Sequence, residues 1–273
     1  MFKKVVIADS LGFRVDRVFD GYQLFDGSVL LLGLLYFSFQ IYCDFSGYSD
    51  IAIGTAKLFG IELMSNFKFP YFSRDIGEFW RRWHISLSSW FRDYLYIPLG
   101  GSKGGKWLSI KNIFIIFIVS GFWHGANWTF ILWGLTHALL YIPLFLIGKN
   151  RQYTTNVVAE NNWFPSIKEL FQMGMTFLST MIAWTFFRSE SISASFIYLN
   201  NILSKFSIPS YQRSGLIFVF IIIGLDWLWR KNAREPLNIK NKYIRWLLYL
   251  GIMYMILGHV EIIDLSQFIY FQF

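Results

Sequence analysis

The 273-residue chain has one cysteine, Cys43, which excludes an internal disulfide and a cysteine-rich metal site and leaves packing as its expected role. No His-x-x-x-His pair and no carboxylate cluster at ligand spacing occurs, so no metal site is expected. The Gly-x-Ser-x-Gly signature of a serine hydrolase is missing. The run Leu-Gly-Gly-Ser-Lys-Gly-Gly at residues 99–105 lacks the spacing and context of a phosphate loop. There is no internal repeat or low-complexity tract, and the lack of inverted hydropathy repeats disfavours a transporter. Asp9 cuts the first apolar run at about four residues, too short for a signal-peptide core, so the chain is expected to begin without a targeting segment. Charge is also scarce: Asp, Glu, Lys and Arg make up 15% of residues.

Hydrophobic residues make up 55% and aromatics 21%, with a mean hydropathy of +0.41, which excludes an ordinary soluble domain. The expectation is an all-α, polytopic helical membrane protein: one transmembrane domain over residues 1–273, with amphipathic interfacial helices. The net charge of +8 comes from basic residues in short loops beside apolar runs, where they orient helices rather than bind nucleic acid. Val29 to Cys43 reads as a first span. Asp44, Gly47, Ser49 and Asp50 then predict a polar elbow before a weaker apolar segment, Ile51 to Leu63. Ile113 to Ile147 is long enough for a hairpin of two crossings. Further spans are expected at Leu170 to Phe187, Gly215 to Trp229 and Trp246 to Gly258, with a connector at Ile192 to Phe206. Basic loops around 66–111, 149–151 and 230–245 are assigned to the cytoplasmic side.

From Asn66 to Lys111 recurring Lys and Arg rule out a span, yet Ile76, Phe79, Trp80, Trp83, Leu87, Trp90, Phe91 and Tyr94 recur at helical spacing. One amphipathic helix is predicted there, opened by Asp75 and Glu78 as a capping box and closed by Pro98 and Gly100, lying in the interface or against the bundle. His84 borders its apolar stripe, either as an interfacial histidine or as a catalytic one.

The stretch Ser-Gly-Phe-Trp-His-Gly-Ala-Asn-Trp at residues 120–128 puts an imidazole, His124, inside a hydrophobic run. Such a ring either hydrogen-bonds a neighbouring helix or works on a substrate, and its ordinary pKa near ~6.5 suits a general base acting on a hydroxyl. His137 follows thirteen residues later, which on a straight helix puts it on roughly the opposite face; only a break at Gly125 brings the two together. Asp44 and Asp50 are expected to pair with cations.

Four stretches carry a specific likeness: residues 40–54 (Gln-Ile-Tyr-Cys-Asp-Phe-Ser-Gly-Tyr-Ser-Asp-Ile-Ala-Ile-Gly), 78–88 (Glu-Phe-Trp-Arg-Arg-Trp-His-Ile-Ser-Leu-Ser), 92–101 (Arg-Asp-Tyr-Leu-Tyr-Ile-Pro-Leu-Gly-Gly) and 120–128. Together and in this order they resemble the membrane-bound O-acyltransferase family, in its bacterial alginate O-acetyltransferase branch. The resemblance implies a multi-pass enzyme of the bacterial inner membrane. It would pass acetyl from acetyl-CoA, as acyl donor, to hydroxyls of an extracytoplasmic polysaccharide or to an extracytoplasmic (periplasmic) partner protein. It implies catalytic roles for His124 and His84, and a substrate tunnel lined or braced by Asp44, Arg81, Arg92, Asp93 and Asn127. Membrane lipid is its surroundings. The departure is length: the chain looks like the C-terminal part of such an enzyme, from an internal methionine or a split gene, without the family's N-terminal helices. D-alanyl transfer to teichoic acid and an inactive structural fragment are the alternatives.

Overall fold

The computed structural model describes residues 1–204, 211–234, 237 and 239–260, and among them the regular structure is helical throughout. Ten α-helices follow in chain order: α1 (Asp9–Asp20), α2 (Gly27–Leu58), α3 (Ile76–Arg82), α4 (Ile85–Phe91), α5 (Lys106–His124), α6 (Trp128–Leu146), α7 (Ile167–Arg188), α8 (Ile192–Ser204), α9 (Leu216–Trp229) and α10 (Lys242–Val260). Four of them, α2, α5, α6 and α7, are long and apolar enough to cross a membrane. The described residues form two compact units, one of residues 1–65 with those from 200 on, the other of residues 66–199. Glu261 and Asp264, beyond the last predicted span, lie outside the described residues.

In the first unit α2 is a single helix, where a polar elbow is expected from Asp44, Gly47, Ser49 and Asp50. Asp44, Gly47 and Asp50, three residues apart on one side of the helix, form a docking face. A π-helical turn, Phe2–Ala8, lies against them, with Lys4 Nζ 2.6 Å from Asp44 and Lys3 Nζ 2.8 Å from Asp50. A Cβ on Gly47 would stand 2.9 Å from the Lys4 backbone nitrogen, so the missing side chain is what lets the turn close in. Charges paired in this way do not interrupt a buried helix. Leu11, Val15 and Val18 of α1 are fully buried, and Phe19 meets Phe37 of α2 at 5.8 Å.

The second unit is built on the antiparallel hairpin of α5 and α6. Gly121 and Gly134 bring the two backbones together: a Cβ on Gly121 would overlap the Phe130 carbonyl oxygen, and one on Gly134 that of Phe117. Small residues at such crossings are what membrane helices use in place of a hydrophobic driving force. α7 packs on α6 with Thr176, Thr180, Ala183, Trp184 and Phe187 inward. Ile167, Leu170, Phe171, Met175, Leu178 and Ile182 face outward, an apolar outer stripe that suits lipid.

The single amphipathic helix expected across residues 76–94 is two short helices and a π-helical turn, Arg92–Tyr96. The break falls at His84, whose φ of 44° and ψ of 56° are left-handed. The segment before it satisfies the groups freed by the break: Ile85 N–H donates to the Asn66 carbonyl at 3.0 Å, Ser86 N–H to Asn66 Oδ1 at 3.1 Å, and Lys68 N–H to the Arg82 carbonyl at 3.0 Å. Asp75 caps α3 as its spacing predicts, accepting from Glu78 N–H at 2.7 Å. The Glu78 carboxylate turns away from the cap. It is fully buried and accepts from Arg74 N–H at 2.7 Å, from the Arg74 guanidinium at 3.0 and 3.1 Å, and from Arg82 at 2.7 Å.

The substitution Gly134→Ala is expected to destabilise the second unit by about 1–3 kcal/mol, because the new methyl group overlaps backbone rather than a movable side chain. Gly174→Ala in α7, where a Cβ meets nothing within 4 Å, is expected to be neutral or mildly stabilising. Thermal unfolding of both variants in detergent checks the contrast.

Candidate active site

All the aromatic and imidazole groups of the site belong to the second unit. α5 ends at His124, and Gly125 follows in extended backbone, where the Phe130 ring would lie 2.6 Å from any Cβ. The hairpin turns here. Asn127 closes the turn as the N-cap of α6: its Oδ1 accepts from Thr129 N–H at 3.1 Å and its Nδ2 donates to the Glu190 carbonyl at 3.1 Å. Phe122, Trp123 and Trp128 beside it are exposed, as aromatic residues at a membrane–water boundary are. His124 therefore sits at the end of a crossing, inside a cage of rings. Its centroid lies 4.9 Å from Trp123, 5.0 Å from Trp133 and 5.1 Å from Phe187.

His84, forty residues earlier in the chain, is brought to the same place, its ring 6.3 Å from Trp123. Its left-handed backbone aims it there, between α3 and α4. Burial lowers its pKa from an ordinary value near 6.5 to about 4, so the ring is neutral at physiological pH. The two histidines of the motif stretches thus share one indole.

His137 also joins this cluster. A straight helix would hold it on the face opposite to His124, but the break at Gly125 folds α6 back on α5. Both rings then stand on Trp133, each at 5.0 Å. The scarcity of histidine was the signal available in the sequence; the turn geometry that makes it meaningful was not.

A cavity of about 720 Å³ opens within the same unit. Arg81, Arg92, Lys106 and Arg151 give it four cations. Trp80, Phe91, Ile113, Phe117, Tyr141 and Phe145 give it apolar walls, and on α5 its lining runs up to Ser120, one helical turn from His124. Arg81 is fixed by donating to the Asn150 carbonyl at 2.7 Å and the Tyr153 carbonyl at 3.1 and 3.3 Å. Arg92 grips its exposed neighbour Asp93 at 2.7 and 3.0 Å. Asp93 is absent from the cavity lining, as is Asn127. Asp44 belongs to the first unit, buried against Lys4.

A family model described as membrane-bound O-acyltransferase family matches residues 24–176, more than half of the chain and including all four motif stretches. The chain belongs to the membrane-bound O-acyltransferase family. Among other members, it is 45% identical to a probable alginate O-acetylase AlgI of Pseudomonas syringae pv. tomato over 191 residues, 70% of this chain and 34% of that protein. It is 39% identical to the probable alginate O-acetylase AlgI of Pseudomonas aeruginosa over 248 residues, 87% of this chain and 45% of that protein. It is also 39% identical to the peptidoglycan O-acetyltransferase of Helicobacter pylori over 195 residues, 71% of this chain and 35% of that protein. The chain thus spans less than half the length of these curated relatives. Membership and the apolar helices together make it a multi-pass membrane protein.

The neutral, buried His84 carries a pH signature. The unfolded chain takes up a proton near pH 6.5 and the folded one only near pH 4, so stability is full above about 6.5 and falls as the pH drops toward 4. The unfolding midpoint in detergent is expected to fall over this window, and to fall less steeply in His84→Gln. Equal slopes in the two proteins would refute the assignment.

Proposed function

We propose that the protein is an O-acyltransferase that moves acetyl from acetyl-CoA to a hydroxyl of an extracytoplasmic polysaccharide, or to a partner protein that completes the transfer. The observation that carries this reading is the cavity: its cations share one space with apolar walls, and although His84 and His124 do not line it, the lining on α5 reaches Ser120, one helical turn from His124. Acetyl-CoA has the matching shape, with phosphates for Arg81, Arg92, Lys106 and Arg151 and a thin pantetheine arm for the passage between Trp80, Phe117 and Tyr141. The basic loops around the cavity's mouth favour a cytoplasmic opening, which is consistent with a bacterial inner-membrane location and with an acceptor on the far side, beside His124.

In this mechanism His124 takes the proton from the acceptor hydroxyl as its oxygen attacks the thioester carbonyl. The aromatic cage excludes water, which protects the thioester from hydrolysis and strengthens every polar contact inside. His84, neutral and packed on the same Trp123 indole as His124, offers a hydrogen bond to the substrate carbonyl. The O-acetylase relatives match 70–87% of the chain, which favours acetyl as the group transferred.

The test is transfer of labelled acetyl from acetyl-CoA to glycan, in membranes carrying the protein as its gene encodes it, with its partner proteins supplied. Transfer by wild type and its loss in a normally inserted His124→Ala variant is the expected result; removing a general base costs about 10²–10⁴-fold. Arg151→Glu is expected to raise the KM for acetyl-CoA while leaving kcat largely intact. A His124→Ala variant that transfers at the wild-type rate would refute the reading. Ester-linked alanine in place of acetate on the product would mark it as a D-alanyltransferase, and no transfer by wild type would mark a structural fragment.

A further inference from the structure

His137 is fully buried in α6, and neither of its ring nitrogens has a hydrogen-bond partner among the described residues. The same holds for the indole nitrogens of Trp80 and Trp133. The three rings are in contact: Trp80 and Trp133 stand edge-on to His137 at 4.9 and 5.0 Å, and 5.9 Å from each other. Four buried polar atoms without protein partners in one cluster are far from what a packed apolar core tolerates. They comprise three N–H donors and one bare imidazole nitrogen, a set that ordered water can satisfy by both accepting and donating. The supply of water is adjacent, since Trp80 and Phe117 line the cavity and both pack on His137.

The hairpin sets the order of these groups along the membrane normal. Gly134 faces Phe117 and Gly121 faces Phe130, and in that register Trp133 and His137 stand level with Ile118 and Phe114 of α5. At 1.5 Å per residue these levels lie about 9 and 15 Å below His124, toward the cavity. Side chains lean toward the N-terminus of their own helix. On antiparallel helices His124 and His137 therefore lean toward one another, and both rings contact the Trp133 ring at 5.0 Å.

We propose that His137, Trp80 and Trp133 hold ordered water between His124 and the cavity, and that His137 acts through this water to return to the departing thiol the proton that His124 removes. The proposal rests on the acyl-transfer reading given above. The acceptor O–H bond breaks and a C–O bond forms to the acetyl carbon. The C–S bond breaks with its electron pair left on sulfur, and the proton travels from His124 through water and His137 to that sulfur. Both imidazoles end neutral, as they began, and no further reactant is needed. His137 is a positioning residue here, since it reaches the sulfur only through water.

The test compares His137→Gln and His137→Phe with wild type in the acetyl-transfer assay, with inserted protein quantified for each. Glutamine keeps a donor and an acceptor for the water but passes no proton. Expected for His137→Gln is normal insertion, a kcat lowered tenfold or more and an unchanged KM for acetyl-CoA; a smaller loss of kcat would overturn the relay. Should glutamine prevent insertion, His137→Phe is read by the same criterion. An independent measurement needs no variant: a structure of the wild-type protein in lipid at a resolution that resolves water. Water within hydrogen-bonding distance of a His137 nitrogen is expected there, and a dry imidazole contacting only ring carbons would overturn the proposal. Wild-type membranes that transfer nothing would remove the reaction and the relay together, whereas a wild-type rate in His137→Gln would remove the relay alone.

Discussion

The close approach of α5 to α6 at Gly121 and Gly134 is the constraint on which the second unit depends, because it decides which rings of the two helices can meet. With the backbones touching there, Phe130 and Trp133 have no room to lie between the helices and turn to the side occupied by α3 and α7. On that side they pack with Trp80, Trp184 and Phe187 into one aromatic body. His124 is carried into this body from the end of α5 and His137 from the middle of α6. A wider helix pair would leave the same residues on separate surfaces.

Electrostatics secures the elements that this packing leaves loose. α3 has only seven residues, too few to be stable by itself, and its position comes from the buried Glu78 carboxylate between Arg74 and Arg82. Removing one partner from such a buried group costs several kcal/mol, because the charges left behind have no solvent. This network positions the break at His84 and hence the direction of its ring. In the first unit the pairs Lys4–Asp44 and Lys3–Asp50 do similar work, tying the amino-terminal turn to α2.

Much of this was legible in the sequence, and the parts that were not share a cause. Apolar runs located α5, α6 and α7 because a span must be apolar along its whole length, whatever it packs against, whereas the runs at residues 215–229 and 246–258 fold as α9 and α10, neither of which is both long and apolar enough to cross. The motif stretches led to the family because they hold long strings of unusual residues. Local signals failed where a distant segment decides the outcome. Asp44, Gly47 and Asp50 read as an elbow because nothing near them in sequence shows Lys3 and Lys4 waiting to pair with them. Periodicity from Ile76 to Tyr94 read as one helix because the groups that satisfy the break at His84 belong to Asn66 and Lys68. Straight-helix geometry puts His137 on the face opposite to His124, and Gly125 is where that geometry ends. The cavity's cations were visible as Arg81 and Arg92, but Lys106 and Arg151 gain meaning only when the start of α5 and the loop after α6 meet at the open end of the hairpin.

The central claim is that the cavity delivers a thioester to His124. Its most direct test is a structure of the protein in lipid with a non-transferable acetyl-CoA analogue bound. The account predicts phosphates against Arg81, Arg92, Lys106 and Arg151, the pantetheine arm between Trp80 and Phe117, and the acyl carbon within reach of the His124 ring. An analogue seated elsewhere, or lying in this cavity with its acyl end turned away from His124, would contradict it.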